Sequence, residues 1–187
     1  MRASPWSRRT PSRRRFGMAV AVLVIALVAA TAAWLTPPGS PIEGKPYVID
    51  GDTLRIGSTR IRLGGIDAPE LDQTCATSAG AEWSCGIEAR DFVEKLVRGD
   101  TLSCQRNGRD RYGRALARCT GKGADIAEAI VAAGWATAEF AYLGTELGAR
   151  NARLGIWEGT FMSPADWRRS HGAESPGFWE WIRGWFQ

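Results

Sequence analysis

Two pairs of acidic residues lie on two bends that are close in the sequence. Asp50 and Asp52 flank one glycine, and Asp67 and Glu70 lie on a second bend further along. Residues 53–63 alternate about a Gly-Ser turn, which predicts a hairpin that places both bends at one end of a sheet. Carboxylates that converge there repel unless a cation joins them, and oxygen ligands suit calcium rather than zinc. Taken alone, Asp-Gly-Asp is more typical of a plain turn than of a metal site.

Arginines form the second group of residues that could do chemistry. Arg62 interrupts an apolar strand, and a further cluster faces one acid, Asp110; the cluster consists of Arg106, Arg109, Arg111, Arg114 and Arg118. The planar guanidinium group matches phosphate oxygens two at a time. A solvated hairpin edge, where positive charge blocks edge-to-edge pairing, is the alternative for this cluster.

The overall charge limits where a polyanion could bind. The chain has 187 residues with 24 Lys and Arg and 20 Asp and Glu, but from residue 16 onward there are 18 basic and 20 acidic residues. The folded part is therefore no general cationic binder, and a nucleic-acid site must be a local cluster. The single histidine, His171, disfavours Ser-His-Asp hydrolysis and histidine-based zinc sites.

The N-terminus has the pattern of an export signal. Six arginines lie in residues 1–15, which we expect in the cytoplasm, and residues 16–35 carry no charge. As a helix these reach about 30 Å, enough to cross a bilayer core. We predict a transmembrane anchor or a cleaved signal helix, and both place the domain outside the cytoplasm, periplasmic or extracellular. Residues 36–46, rich in proline and glycine, are predicted to be a linker.

The cysteines agree with export. They number four, without Cys-x-x-Cys spacing, which in an exported domain indicates two disulfides rather than zinc. Of the three possible pairings we favour the local one, Cys75–Cys85 and Cys104–Cys119.

Periodicity predicts a mixed domain between the linker and residue 160. An apolar stripe predicts a helix over 86–98, and shorter helices are predicted over 125–133 and 145–154. Strands are predicted over 101–105 and 114–119, with a turn at Asn107-Gly108 between them. Few strands and short helices indicate an α+β domain on a small antiparallel barrel.

Three motif blocks carry a resemblance to a known family. Residues 48–54 (VIDGDTL), 61–70 (IRLGGIDAPE) and 110–117 (DRYGRALA), followed by the weaker 134–136 and 154–157, resemble the thermonuclease (staphylococcal nuclease-like) family over roughly 46–160. The resemblance implies an OB-fold barrel with packed short helices over residues 47–160. It also implies a calcium-dependent endonuclease that hydrolyses phosphodiester bonds of DNA and RNA.

The resemblance also assigns roles by motif position. The catalytic residues it implies are Arg62, Glu70 and Arg114, with Glu70 positioning or activating water and the arginines clamping phosphate. The implied calcium ligands are Asp52, Asp67 and the carbonyl of Ala68. The implied nucleotide contacts are Arg111, Tyr112 and Tyr142.

Two features leave alternatives open. The domain could be a non-catalytic OB-fold module of the envelope that binds nucleic acid, although such a module has no need of Glu70 beside a phosphate. Residues 161–187 are predicted to be an aromatic-rich tail, in which Phe178, Trp181, Ile182 and Trp185 recur at helical spacing. That stripe could lie on a membrane or dock on the domain.

We expect the protein to be a monomer.

Overall fold

The computed structural model describes residues 12–35, 39–110 and 112–171, in two compact units divided after Pro38. The first unit contains helix α1 (Ser12–Leu35), in agreement with the helix predicted over 16–35. Among the described residues, no helix meets the length and hydropathy required to cross a membrane. The predicted nucleotide contact Arg111 and the aromatic stripe of residues 178–185 lie outside the described residues.

The second unit mixes strands and short helices. Its strands are β1 (Ile42–Gly44), β2 (Pro46–Val48), β3 (Thr53–Ile56), β4 (Thr59–Leu63), β5 (Ile66–Asp67), β6 (Cys75–Ala76), β7 (Glu82–Trp83), β8 (Leu102–Arg109), β9 (Ala115–Gly121), β10 (Ala124–Asp125) and β11 (Thr137–Ala138). Its helices are α2 (Cys85–Leu96), α3 (Ile126–Ala132), α4 (Leu143–Asn151) and α5 (Pro164–His171), with a 3₁₀ turn at Gly155–Glu158.

The main sheet has the order β1-β8-β9-β4-β3-β2, with β10 paired to β9, and it curls into a half-barrel. The predicted hairpin is confirmed, because β3 and β4 pair antiparallel with Leu54 opposite Ile61. The sheet is not wholly antiparallel as predicted, since β4 and β9 run parallel, with Ile61 opposite Ala115. That pair joins two hairpins whose strands are far apart in the sequence, a pairing that local alternation does not reveal.

The sheet begins inside the segment predicted as a linker. Strand β1 pairs with β8, with Glu43 opposite Ser103, and Pro46 starts strand β2 on the other edge. Pro46 is tolerated there because an edge strand leaves one side without ladder hydrogen bonds. The folded unit therefore reaches into the predicted 36–46 linker.

The helices cover the inner face of the sheet with the residues that periodicity selects. On α2 and the residue after it, Ala89, Val93 and Val97 are buried in one cluster with the apolar strand residues Leu54 and Ile61. Helix α3 begins where the Asp125 carboxylate accepts hydrogen bonds from the amides of residues 127 and 128. This packing holds the strand ends, and hence the acidic bends, in a fixed frame.

Both predicted disulfides are present. Cys104 and Cys119 lie opposite each other on β8 and β9, and Cys75 on β6 is joined to Cys85, the first residue of α2. The second bond closes a loop of sequence separation 10 that follows the acidic bend at residues 67–70. It therefore restrains the chain beside the predicted site.

The turn between β8 and β9 differs from the prediction. Asn107 and Gly108 do not form the turn, because β8 continues to Arg109 with an irregularity between Arg106 and Gly108. Asp110 forms it instead: its carboxylate accepts hydrogen bonds from the amides of Tyr112 and Arg114. A carboxylate that satisfies the backbone in this way favours the later turn, and it fixes where Arg114 leaves the loop.

Candidate active site

The two acidic bends are in direct contact. Gly51 lies so close to the second bend that a Cβ atom on it would be 2.6 Å from the Cβ of Ala68. The amide of Ala68 in turn donates a hydrogen bond to Asp52 Oδ2 at 3.0 Å. The juxtaposition predicted from the hairpin is therefore present, and it depends on glycine at the centre of Asp-Gly-Asp.

Asp52 is a buried carboxylate with both its oxygens engaged. Oδ1 accepts hydrogen bonds from Arg62 Nη1 at 2.6 Å and from the Thr53 hydroxyl at 3.0 Å. Burial raises the pKa of Asp52 to about 7, although the Arg62 guanidinium group lowers it. Removal from water disfavours the ionised form more than one partner favours it, so this carboxylate is held in an environment that needs more positive charge.

Arg62 bridges the two carboxylates that the sequence singled out as metal ligands. It lies on β4 opposite Thr53, and its Nη2 donates to Asp67 Oδ1 at 2.7 Å while Nη1 bonds Asp52. Burial lowers the pKa of Arg62, but the neighbouring Asp52 and Asp67 carboxylates raise it overall. One positive group thus already joins the two acids.

Glu70 and Arg114 face the same open cavity as Asp52 and Arg62. The cavity has a volume of about 1040 Å³, and Ala68 and Tyr112 also line it. The Glu70 side chain is 33% exposed, which leaves its carboxylate accessible to water and to a ligand. A polar cleft of this size, lined by arginines and carboxylates, suits an anionic substrate.

Arg114 is held from two sides. Its Nε donates to Asp110 Oδ2 at 2.6 Å, and its Nη1 lies 3.4 Å from the Thr53 hydroxyl that bonds Asp52. The ring of Tyr112 lies 5.5 Å from the guanidinium carbon and is 69% exposed on the cavity wall. The predicted pair Arg62 and Arg114 therefore meets around Asp52 and Thr53.

Tyr142 is a predicted nucleotide contact that the structure places elsewhere. It is buried, 7% exposed, and does not line the cavity; its hydroxyl donates to Asp125 Oδ2 at 2.8 Å. Burial and that hydrogen bond raise the pKa of Tyr142 to about 12. Tyr142 thus supports the start of α3, and the motif position on which the prediction rested could not separate this role from contact with a nucleotide.

One charged residue at the cavity was missed from the sequence. Arg168 on α5 donates to both oxygens of Asp67, at 3.0 and 2.9 Å, and to Glu70 Oε1 at 2.6 Å. It lies 101 residues from Asp67, in the segment 161–187 predicted as an aromatic-rich tail, so no local pattern points to it. A short amphipathic stretch with Pro164 at its start was the one available signal of a helix.

The donor set fits a hard cation only if other oxygens contribute. In the part of the chain that the structure describes, no group of three or more His, Cys, Asp or Glu side chains is arranged to hold a metal ion. Asp52 and Asp67 nevertheless share one guanidinium group, so their oxygens converge on one positive charge. Such a pair fits calcium, whose remaining ligands are commonly backbone carbonyls and water.

Comparison with known proteins identifies the family of this chain. Residues 60–159 match the family described as "Staphylococcal nuclease homologue". The chain is 32% identical over 158 residues to "Succinoglycan biosynthesis protein ExoI" of Rhizobium meliloti (strain 1021), covering 80% of this chain and 83% of that protein. It is 29% identical over 134 residues to an "Uncharacterized endonuclease" of Haemophilus influenzae, covering 65% and 70%. It is also 30% identical over 126 residues to "Probable staphylococcal-like nuclease CAN1" of Oryza sativa subsp. japonica, covering 64% and 35%.

The curled sheet with its helices, together with these similarities, defines a phosphodiester hydrolase, a nuclease. Nucleic acid is accordingly its class of substrate. Within that class, the chain belongs to the staphylococcal nuclease family, as the match over residues 60–159 shows.

Proposed function

We propose that this nuclease is calcium-dependent, acts outside the cytoplasm, and cleaves internal phosphodiester bonds of both DNA and RNA. The observation that carries the proposal is the bridge from Arg62 to Asp52 and Asp67, at 2.6 and 2.7 Å, beside Glu70 and Arg114 on one cavity. Together, paired carboxylates, an accessible glutamate and two guanidinium groups can bind a cation, activate water and stabilise charge on a phosphate.

Asp52 and Asp67 would hold the calcium ion, with the carbonyl of Ala68 as a further ligand. When bound, the ion supplies a Lewis acid that polarises the phosphate and reduces its repulsion of an incoming nucleophile. The elevated pKa of Asp52, about 7, supports this role, because a buried carboxylate with too little positive charge gains stability from a cation.

Glu70 would accept a proton from the attacking water or orient it. As the water oxygen bonds to phosphorus, the proton passes to the Glu70 carboxylate and the ester P–O bond breaks. The leaving alkoxide then takes a proton from solvent. The Glu70 side chain is 33% exposed, which allows it to reach water in the cavity. General-base catalysis of this kind typically increases the rate about 10²–10⁴-fold.

Arg62 and Arg114 would stabilise the negative charge that grows on the phosphoryl oxygens. Both line the cavity, and Asp110 orients the Arg114 fork through its Nε. Donors that are positioned before the reaction act more strongly on the transition state than on the ground state. Tyr112, which also lines the cavity, would contact a nucleotide bound there.

The test is hydrolysis of plasmid DNA and of RNA by the purified chain with calcium or with a chelator. We expect cleavage with calcium, loss of cleavage with excess chelator, and recovery when calcium returns. Closed circular plasmid also distinguishes internal from terminal attack, because it has no ends. Full activity in chelator would refute the calcium assignment.

Glu70→Gln is the matched test of the chemistry. It keeps the side-chain shape but removes the base, and we expect turnover to be lower by about a hundredfold or more. Glu88→Gln, an exposed position on α2, is the control and should retain full turnover. Retention of activity by Glu70→Gln would refute the role of Glu70, and binding without any hydrolysis by the parent chain would favour the non-catalytic module.

Export is the second part of the proposal. One support is the six arginines within residues 1–15, which precede the uncharged residues 16–35. The other is the two disulfides, which persist in oxidising compartments. We propose that the N-terminal segment directs the domain out of the cytoplasm, as a membrane anchor or as a cleaved signal. Fractionation of cells, with the N-terminus determined by mass spectrometry, tests this. A full-length chain in the cytoplasmic fraction with reduced cysteines would refute it.

A further inference from the structure

Arg168 lies where the candidate base and a candidate metal ligand meet. Its Nη1 contacts both Asp67 Oδ1, at 3.0 Å, and Glu70 Oε1, at 2.6 Å, while Nη2 contacts Asp67 Oδ2 at 2.9 Å. These hydrogen bonds, chiefly that with Asp67, raise the pKa of Arg168, so the group is charged throughout the working range of pH. One side chain thus fixes two carboxylates relative to each other.

The position of Glu70 depends on this contact. Among the described side chains, Arg168 alone donates a hydrogen bond to the Glu70 carboxylate. Without it, repulsion from Asp67 and partial exposure would let Glu70 rotate toward solvent. A general base must lie within hydrogen-bond reach of the proton it accepts, so orientation matters as much as charge.

The helix that carries Arg168 is fixed to the loop that carries Glu70. Gln73 is completely buried; its Oε1 accepts a hydrogen bond from the Glu70 amide at 3.1 Å, and its Nε2 donates to the Met162 carbonyl at 2.7 Å. The Trp167 indole donates to Asp72 Oδ1 at 3.3 Å. These contacts on both sides of Glu70 hold α5 at a defined distance, as a support for a reacting group requires.

We infer that Arg168 is a positioning residue of the nuclease, which orients Glu70 through a direct ion pair. The inference rests on the proposed function, since it assigns Arg168 a role through the base. It adds to the site a residue that lies beyond the matched segment 60–159. Arg168 is assigned no contact with the phosphate; its effect passes through the Glu70 carboxylate.

The test compares the steady-state kinetics of Arg168→Gln and Arg168→Lys on DNA with calcium. We expect kcat about 10–100-fold lower for the glutamine variant, as for other partners that orient a site residue, with KM changed much less. Lysine keeps one charged contact and should recover part of kcat. Arg169→Gln is the matched control: Arg169 is the next residue on α5, is 76% exposed at its side chain, and pairs with Asp166.

A double variant shows whether the effect passes through Glu70. If it does, Arg168→Gln combined with Glu70→Gln should be about as slow as Glu70→Gln alone, because the base that Arg168 orients is already absent. Independent, multiplying losses would overturn the inference. So would an increase in KM with unchanged kcat, which would make Arg168 a substrate ligand.

Calcium titration by calorimetry supplies a readout that does not depend on turnover. We expect Arg168→Gln to bind calcium at least as tightly as the parent, because the substitution removes a positive charge from Asp67, while its kcat is lower. Tighter binding together with undiminished kcat would overturn the inference and make Arg168 a competitor of the ion at Asp67. If the glutamine variant does not fold, the lysine variant decides, since unchanged kcat there with unchanged unfolding temperature also overturns it. A parent chain that cleaves nothing would refute the proposed function itself, whereas an active parent with an Arg168→Gln variant of equal kcat refutes only this inference.

Discussion

Asp52→Asn is the sharpest test of the electrostatics of the site. The carboxylate is 4% exposed, and burial raises its pKa from 3.8 to about 7. In the metal-free protein, the folded state therefore binds the Asp52 proton more tightly than the unfolded chain does. Its contribution to stability is fully present below about pH 4 and is lost as pH rises to about 7. Asparagine keeps the shape but cannot ionise, so this dependence on pH should disappear.

The magnitude follows from the shift in pKa. About three pKa units at about 1.36 kcal/mol each correspond to roughly 4 kcal/mol that ionised Asp52 costs the folded state at pH 8. At pH 4 the parent residue is largely protonated in the folded state and, like asparagine, uncharged. Comparing pH 8 with pH 4 therefore removes the part of the effect of Asp52→Asn that does not depend on pH. We expect the effect of Asp52→Asn on the free energy of unfolding to be more favourable at pH 8 than at pH 4 by up to about 4 kcal/mol.

Urea unfolding in chelator, followed by tryptophan fluorescence with disulfides intact, measures this difference between pH 4 and pH 8. Asp91→Asn on α2, whose side chain is 36% exposed, is the matched control for replacing a carboxylate by an amide outside the site. Parallel curves for Asp52→Asn and the parent would refute the reasoning. If Asp52→Asn were less stabilising at pH 8 than at pH 4, the attraction of Arg62 for the ionised Asp52 carboxylate would outweigh the effect of burial on its pKa. The variant should also lose calcium-dependent stabilisation.

Further substitutions test other contacts. Arg114→Lys should lower kcat about a hundred- to a thousandfold with less effect on nucleotide affinity, and near-parental turnover would remove Arg114 from the phosphate clamp. Gly86→Ala should reduce stability by about 1–3 kcal/mol and slow turnover, since its Cβ would lie 1.7 Å from the Glu70 carbonyl oxygen. Gly144→Ala is the control, because a Cβ there has open space and should change neither stability nor turnover. Equal unfolding midpoints for the two variants would contradict this packing. Tyr142→Phe should lose about 1 kcal/mol of stability with turnover unchanged, and an altered KM would return Tyr142 to the substrate site.

The sequence predicted those parts of the site that local patterns encode. Alternation indicated the hairpin that places Asp52 beside the second bend, and the short separations of the cysteines favoured the pairings that are present. These features depend on contacts between neighbouring segments, for which residue type and spacing suffice.

Other features depend on contacts that spacing does not encode. Tyr142 carries the same signal whether it stacks on a base or supports a helix, and only its burial against Asp125 decides. Arg168 reaches Glu70 across 98 residues, through a short helix whose polar composition resembles a solvated tail. The turn forms at Asp110 rather than at Asn107-Gly108 because the Asp110 carboxylate satisfies two backbone amides.

Some charged residues of this site lie outside the segment 60–159 that matches the family, on both sides of it. Asp52 precedes residue 60, Arg168 follows residue 159, and strand β3, which aligns Arg62, also begins before the match. A recombinant fragment trimmed to those limits would keep Glu70 but would lack the buried Asp52, both edge strands of the main sheet and the Arg168 side chain that orients the base. Truncations of this enzyme for crystallisation or biotechnology therefore need to retain at least the elements from strand β1 to helix α5, which begin at Ile42 and include Arg168.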